Sequence, residues 1–299
     1  MVKRAYTKPP LTVQEQINLL KNRGLQIDDE AKAERYLKNI SYYRLSGYMY
    51  PFLKDKALHI YKEGTKFVDI INLYRFDREL RLLVFSAIEK IEIAIRSHIG
   101  YEFSVGLKDP FWFTNIANFS DTVRYETFRK ELDTNLNRSK DVFIKHFKNT
   151  YSDPMPPIWI TSEILPLGQL SVLYDITAKI PPRKAVADYF GIKDVVLISW
   201  LHTLAYVRNI CAHHARLWNK DLRIPVKLPI KVVNKWLSVK SIANNKMFVV
   251  LAIISYLLDA ITPTNTFRNK VKTLLQKYPD IDTAAMGFPK NWQSDQFWD

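Results

Sequence analysis

Residues 208–214 read Arg-Asn-Ile-Cys-Ala-His-His, the most complete chemical set in the chain. Arg208 is a permanent cation whose planar guanidinium suits a phosphate, and His213 belongs to the residue type that titrates near neutral pH. With Asn209 they supply what RNA cleavage needs in the absence of a metal. RNA carries its own nucleophile, the 2′-hydroxyl, so a protein need only align it, stabilise the crowded phosphorane and handle two protons. Arg208 would donate charge-assisted hydrogen bonds to phosphate oxygens, and His213 would serve as general acid or base. Asn209 would orient a ligand oxygen or the histidine. The expected products are a 2′,3′-cyclic phosphate and a 5′-hydroxyl, formed in the presence of EDTA.

The pair alone is a short pattern. With 16 arginines and 6 histidines in 299 residues, chance supplies about one pair at such a gap. Its setting matters more. Five helical positions rotate by about 500°, which leaves Arg208 and His213 roughly 140° apart on a regular helix. Either the helix ends or distorts within the motif, or a group from another helix or another subunit completes the site. His214 and Arg216 read as supporting groups. His59, His98, His146 and His202 lack ligand spacing with carboxylates, and Cys211 is the single cysteine. No metal, no cofactor and no intramolecular disulfide is therefore expected.

Charge points in the same direction. The net charge is +14, and residues 214–277 hold twelve Lys or Arg against Asp221 and Asp259, a local excess of +10. Within this stretch Lys220, Arg223, Lys227, Lys231 and Lys235 follow the motif directly and read as RNA-binding, with an affinity that should fall with salt. A solvated basic face, or one that meets an acidic protein, is the alternative. The amino terminus, Met-Val-Lys-Arg-Ala-Tyr, lacks the apolar core of a secretion signal, and the run Met247–Leu258 is too short to span a bilayer. A cytoplasmic protein with no membrane partner is the expectation.

The elements that must position these groups read as helices. Only 8 glycines occur, and long stretches lack both Gly and Pro. Thr12 and Glu15 form a capping box for a first helix, with Gly24 at its end, and a second runs from about Asp29 to Ile40. Tyr42-Tyr43-Arg44-Leu45-Ser46-Gly47-Tyr48 follows; such aromatics can stack bases, although packing is their commoner role. Val68 to Ile99 reads as one long helix or two with a kink. Glu89, Glu92 and Arg96 fall on one face of it, where they would form ion pairs or orient Arg208 or His213 from a neighbouring helix. Arg124 to Tyr151 suggests another charged helix. Prolines 154, 156 and 157 make a rigid connector, and a helix interrupted near Pro166 and Gly168 continues to Ala178. Lys193 to Ala212 is a strongly apolar helix with the motif at its far end. A lysine-bearing helix is predicted from Ile230, then a buried helix from Phe248 to Ala260, then a tail. No repeat and no strand alternation is evident, so the fold class is all-α.

Several phrases taken together resemble a known family. They are Tyr42 to Tyr48, Arg75-Phe76-Asp77-Arg78-Glu79-Leu80-Arg81, Ile88 to Arg96, and Pro157-Ile158-Trp159. Leu167-Gly168-Gln169-Leu170-Ser171, Tyr206 to His214 with Arg216-Leu217-Trp218-Asn219, and Met286-Gly287-Phe288-Pro289 complete the set. In matching order over nearly the whole chain, the sequence resembles the Abi-like (abortive infection, AbiD/AbiF type) family of bacterial phage-resistance proteins. That resemblance implies a HEPN-type helical domain, the fold of many prokaryotic RNA-cutting toxins, whose members carry Arg, a polar residue, then His after a gap of four to six. Arg208, Asn209 and His213 match this pattern, and His214 also fits the gap, so the choice between the two histidines stays open. The resemblance further implies a homodimer in which two motifs form one composite, metal-independent ribonuclease site, and a small non-coding guide or antitoxin RNA as partner.

The expected organisation is a small N-terminal helical module (1–65), a multi-helix HEPN-like bundle (66–265) and a C-terminal tail packing on it (266–299). The expected function is an antiviral abortive-infection endoribonuclease toxin, a hydrolase with Arg208, His213 and Asn209 as catalytic set and His214, Arg216, Glu92 and Arg96 as support. Two alternatives belong to other classes: a HEPN-like protein that binds RNA without cutting it, and a sensor that recognises a phage component.

Overall fold

A computed structural model describes residue 5, residues 7–239 and residues 241–299. Most of the amino-terminal stretch read above for a secretion signal, and Lys240 of the basic segment, lie outside the described residues. The described residues are mostly helical, as expected, with one small two-stranded hairpin among them. Its contacts separate it into two compact units, one of residues 1–79 with 277–281, the other of residues 80–276 with 282–299.

In the first unit, α1 (Val13–Asn22) opens on the capping box: the Thr12 amide donates to the Glu15 carboxylate at 2.7 Å while the Thr12 hydroxyl accepts from the Glu15 amide. Gly24 follows the cap with φ +89°, the left-handed geometry glycine enters without strain. Next come α2 (Glu30–Ile40), capped by Asp29, and α3 (Tyr42–Met49). Strands β1 (Leu53–Asp55) and β2 (Ile60–Tyr61) form the antiparallel hairpin that lacked an alternation signal, being three and two residues long. The unit closes with the first turns of α4 (Phe67–Leu107), an unbroken 41-residue helix. Within it, the Tyr48 hydroxyl donates to the buried Asp77 carboxylate at 2.6 Å.

The second unit takes the rest of α4 and carries the motif. The predicted helix from Arg124 to Tyr151 is two helices, α5 (Thr122–Arg138) and α6 (Val142–Thr150), parted at residues 139–141. A short α7 (Ile158–Thr161) precedes α8 (Leu167–Ile176) and α9 (Pro181–Tyr189). Then comes α10 (Asp194–Ala212), which packs on α8 and α9. At the centre lies α11 (Met247–Ile261), buried at every position from Met247 to Leu258. By length and composition α10 could cross a bilayer, but 56% of that window is buried against its own neighbours, as in a core helix.

One expectation fails in the second half. No helix starts at Ile230: the described residues of 213–246 are irregular. The β-branched pair Val232-Val233 disfavours a helix, and tertiary partners take the local backbone groups. The Val233 amide donates to Gly191 at 3.1 Å, and Asp295 accepts from the Ser238 amide at 2.8 Å and the Val239 amide at 3.3 Å. Burial alone would raise the Asp295 carboxyl, yet the amides of Phe297, Ser238 and Val239 and the Ser238 hydroxyl hold it below the usual range. The tail, moreover, contains α12 (Phe267–Lys277) and three short 3₁₀ turns. Its aromatics join the core: Trp298 is fully buried, its ring 5.6 Å from that of Phe248 in α11.

Candidate active site at the end of helix α10

The helix does end within the motif, as the first geometric alternative expected, but its end does not bring Arg208 and His213 to one face. Helix α10 runs through Arg208 and stops at Ala212, with His213 as its C-cap. His214 adopts φ +56°, and its amide donates to Cys211 at 3.1 Å while the Ala215 amide donates to Ile210 at 3.0 Å. These are the two bonds of a Schellman cap, which usually places glycine at the left-handed position. A histidine there costs on the order of 1 kcal/mol. The chain thus turns sharply at the second histidine, and both histidines are exposed.

Arg208 projects the other way, toward α4. Its Nε lies 3.8 Å from Glu92 Oε2, and its guanidinium carbon stands 6.0 Å from the centroid of the Phe85 ring. Its Nη1 donates to Asn209 Oδ1 at 3.4 Å. Glu92 is shared: Arg96 Nη2 donates to its other oxygen at 3.3 Å. Arg96 is itself fixed, its Nε donating to the Ser162 carbonyl at 2.8 Å and its Nη2 to that of Leu165 at 3.2 Å. Both Glu92 and Arg96 are largely shielded, at 13% and 14% side-chain exposure, so this pair is held more firmly than a surface salt bridge. The outcome is a cation with a fixed carboxylate behind it and its remaining N–H groups partly open, at 32% exposure.

The structure therefore brings together Arg208, Asn209, Glu92 and Arg96. His213 stands at the same helix end but on a different face, the one that also carries Val195, Ser199, His202, Tyr206 and Asn209. Arg216 is half-buried just beyond, followed by the buried Leu217 and Trp218, whose indole N–H donates to the Asp282 carbonyl at 3.3 Å. Of two further α4 residues at this end, sequence reasoning pairs Arg81 with Asp77 as an orienting charge and overlooks Phe85. Arg81 is buried and donates to the Ala215 carbonyl at 3.4 Å, and Phe85 carries the Arg208 guanidinium. The signal for Phe85 was available: positions 81, 85, 92 and 96 recur at near-helical spacing and so form one stripe.

The basic residues divide. Arg223, Lys227, Lys231 and Lys235 are exposed and Lys220 half-buried. The segment that carries them is strapped along α10: the Trp200 indole donates to the Lys227 carbonyl at 3.0 Å, and the Lys227 amide to the Ser199 hydroxyl at 3.0 Å. Two adjoining clefts of about 530 and 850 Å³ open beside the amino-terminal half of α10 and share Lys193 and Lys231. Lys179 and Lys184, absent from the sequence-based set, join the larger one, where Lys184 also pairs with Asp188 at 2.6 Å. Among the described residues no three His, Cys, Asp or Glu side chains gather as a metal site would need.

The fold is a mostly helical bundle with an Arg-carboxylate pair and a histidine at one end of a core helix. The family model described as "Abi-like protein" matches residues 35–219, from within α2 to the residue after Trp218, which is more than half of the chain. The chain belongs to the Abi-like family, and so to abortive-infection defence against phage. Comparison with curated proteins and with solved structures gives no match.

Proposed function

We propose that this protein is an endoribonuclease toxin of HEPN type that cuts RNA without a metal during abortive infection. One observation carries the reading: Arg208 pairs with Glu92 and lies over Phe85 near the end of α10, about one and a half turns before the helix terminates on His213. Substrate binding is the task of the exposed lysines and arginines of residues 220–235, which supply sequence-independent attraction for phosphates. Arg208 bonds the phosphate oxygens as charge develops there, and Glu92 keeps its guanidinium from swinging away. His213 takes the proton of the 2′-hydroxyl or gives one to the departing 5′-oxygen, and Asn209 fixes the orientation of the arginine or of the ligand.

Because Arg208 and His213 leave α10 on different faces, a second copy of the chain completes the site in this reading, each subunit lending one group to the other's phosphate. A small non-coding RNA is the proposed regulatory partner. The experiment is to compare the native chain with Arg208→Ala and His213→Ala in cell toxicity, RNA cleavage and RNA affinity. Both variants should lose toxicity and cleavage while affinity changes less than about threefold. Loss of affinity in both variants, with no cleavage by the native chain, would establish RNA binding without catalysis instead.

A further inference from the structure

The first unit contains a pocket of about 860 Å³, within the 300–1,000 Å³ range of small-ligand sites. Its walls carry four tyrosines, Tyr42, Tyr43, Tyr50 and Tyr61, over an apolar floor of Leu19, Met49 and Leu53. Lys8, Arg23 and His59 line it too, and no carboxylate is among its described lining residues. Packing accounts for Tyr48 and Tyr61, and partly for Tyr42, but not for Tyr43 or Tyr50. Tyr48 is 2% exposed and hydrogen-bonded to Asp77, whereas Tyr43 on the same helix is 89% exposed and Tyr50 half exposed. Tyr43 and Tyr50 thus place two exposed aromatic rings at one pocket together with cations and no described carboxylate.

The polar groups are arranged rather than scattered. Arg23 Nη1 donates to the Tyr42 hydroxyl at 2.8 Å, which holds the guanidinium against the pocket wall, and the Lys56 ammonium lies 4.8 Å from the Tyr50 ring centroid. Burial pushes the Tyr61 phenol upward, so it stays a neutral hydrogen-bond donor. Gln16, Ser41 and Ser46 add groups that both donate and accept. Aromatic faces stack nucleobases of any identity, fixed cations attract phosphate, and amide and hydroxyl groups read base edges. We infer that the pocket of the first unit binds a ribonucleotide, its base against Tyr43 and Tyr50 and its phosphate toward Arg23 and Lys8. The inference does not rest on the ribonuclease reading, since it uses neither Arg208 nor His213.

The ligand chemistry has two sources, a free nucleotide or one nucleotide of an RNA strand. The test titrates the full chain with AMP, UMP, a tetraribonucleotide and inorganic phosphate, and maps photocrosslinks from 4-thiouridine in the monophosphate and in the tetramer. Tyr43→Ala and Tyr50→Ala are the variants; both side chains are exposed, so thermal midpoints close to native should accompany them. Binding of a mononucleotide, or of the tetramer alone, with crosslinks on residues 42–50 and roughly 5- to 100-fold weakening in each variant, supports the site and identifies its source. No binding at millimolar ligand overturns it. So do crosslinks confined elsewhere, affinity unchanged in both variants, or inorganic phosphate or an acidic peptide binding as tightly as the nucleotide.

Discussion

Replacing Glu92 by Gln removes the charge behind Arg208 while keeping the shape of the side chain. At 3.8 Å and an effective dielectric of about 20, the direct attraction is about 4 kcal/mol. Two features reduce the net effect. Arg208 keeps 32% of its side chain in contact with solvent, and Arg96 shares the carboxylate at 3.3 Å. A net loss of about 1–2 kcal/mol in the positioning of Arg208 remains, which corresponds to roughly 5- to 30-fold in the rate of RNA cleavage. The assay is single-turnover cleavage of an unstructured RNA by native protein, Glu92→Gln and Glu92→Asp, with RNA affinity and thermal midpoint measured on each. Glu92→Asp, which restores the charge, should recover part of the rate. RNA affinity should move little, because Glu92 faces the arginine and not the basic surface. Cleavage by Glu92→Gln within twofold of native would refute the reasoning. So would a loss that disappears once the assay is cooled to compensate for lower stability.

Two predictions concern the scaffold, beginning with paired glycines of α4. A Cβ added at Gly106 would stand 2.6 Å from Pro182 Cγ on α9, so Gly106→Ala should destabilise by about 1–3 kcal/mol in urea unfolding. At Gly100 a Cβ meets nothing within 4 Å, so Gly100→Ala should stabilise by about 0.5–1 kcal/mol. The second prediction is a pH dependence. Burial lowers the His98 pKa, outweighing the opposing charge of Glu102, and the ring packs 3.7 Å from that of Tyr189. The unfolded chain then binds a proton that the folded chain resists, so stability should be flat above pH 6.5 and fall as pH drops from 6.5 toward the lowered value. Urea midpoints of native protein and His98→Phe between pH 7.5 and 5.5 check this: the native midpoint should fall relative to that of His98→Phe on acidification.

What the sequence disclosed, and what it did not, follows from the range of the forces involved. The capping box of Thr12 and Glu15 was legible because its signal is local, and the apolar helices α10 and α11 because burial on one or all faces leaves a periodic trace. Glu92 and Arg96 could be placed on one face by spacing, and Glu92 does meet Arg208. The Schellman cap at His214 was hidden because glycine normally announces it. The absent helix after Ile230 was decided by distant partners, Gly191 and Asp295, which no local window contains. For the tyrosine motif, where packing and base stacking both stayed open, Tyr48 packs whereas Tyr43 faces water. Lys179, Lys184 and Lys193 join Lys231 only through folding, so charge counting along the chain passed them over.

The account turns on Arg208 and His213 acting on RNA without a metal. Its most direct test is to incubate native protein and the two alanine variants with RNA in EDTA and determine the product ends by mass spectrometry. Native protein should yield 2′,3′-cyclic phosphate and 5′-hydroxyl ends, with neither variant yielding them above background. Products bearing 5′-phosphates, formed only when Mg²⁺ is restored or formed equally by both variants, would contradict it.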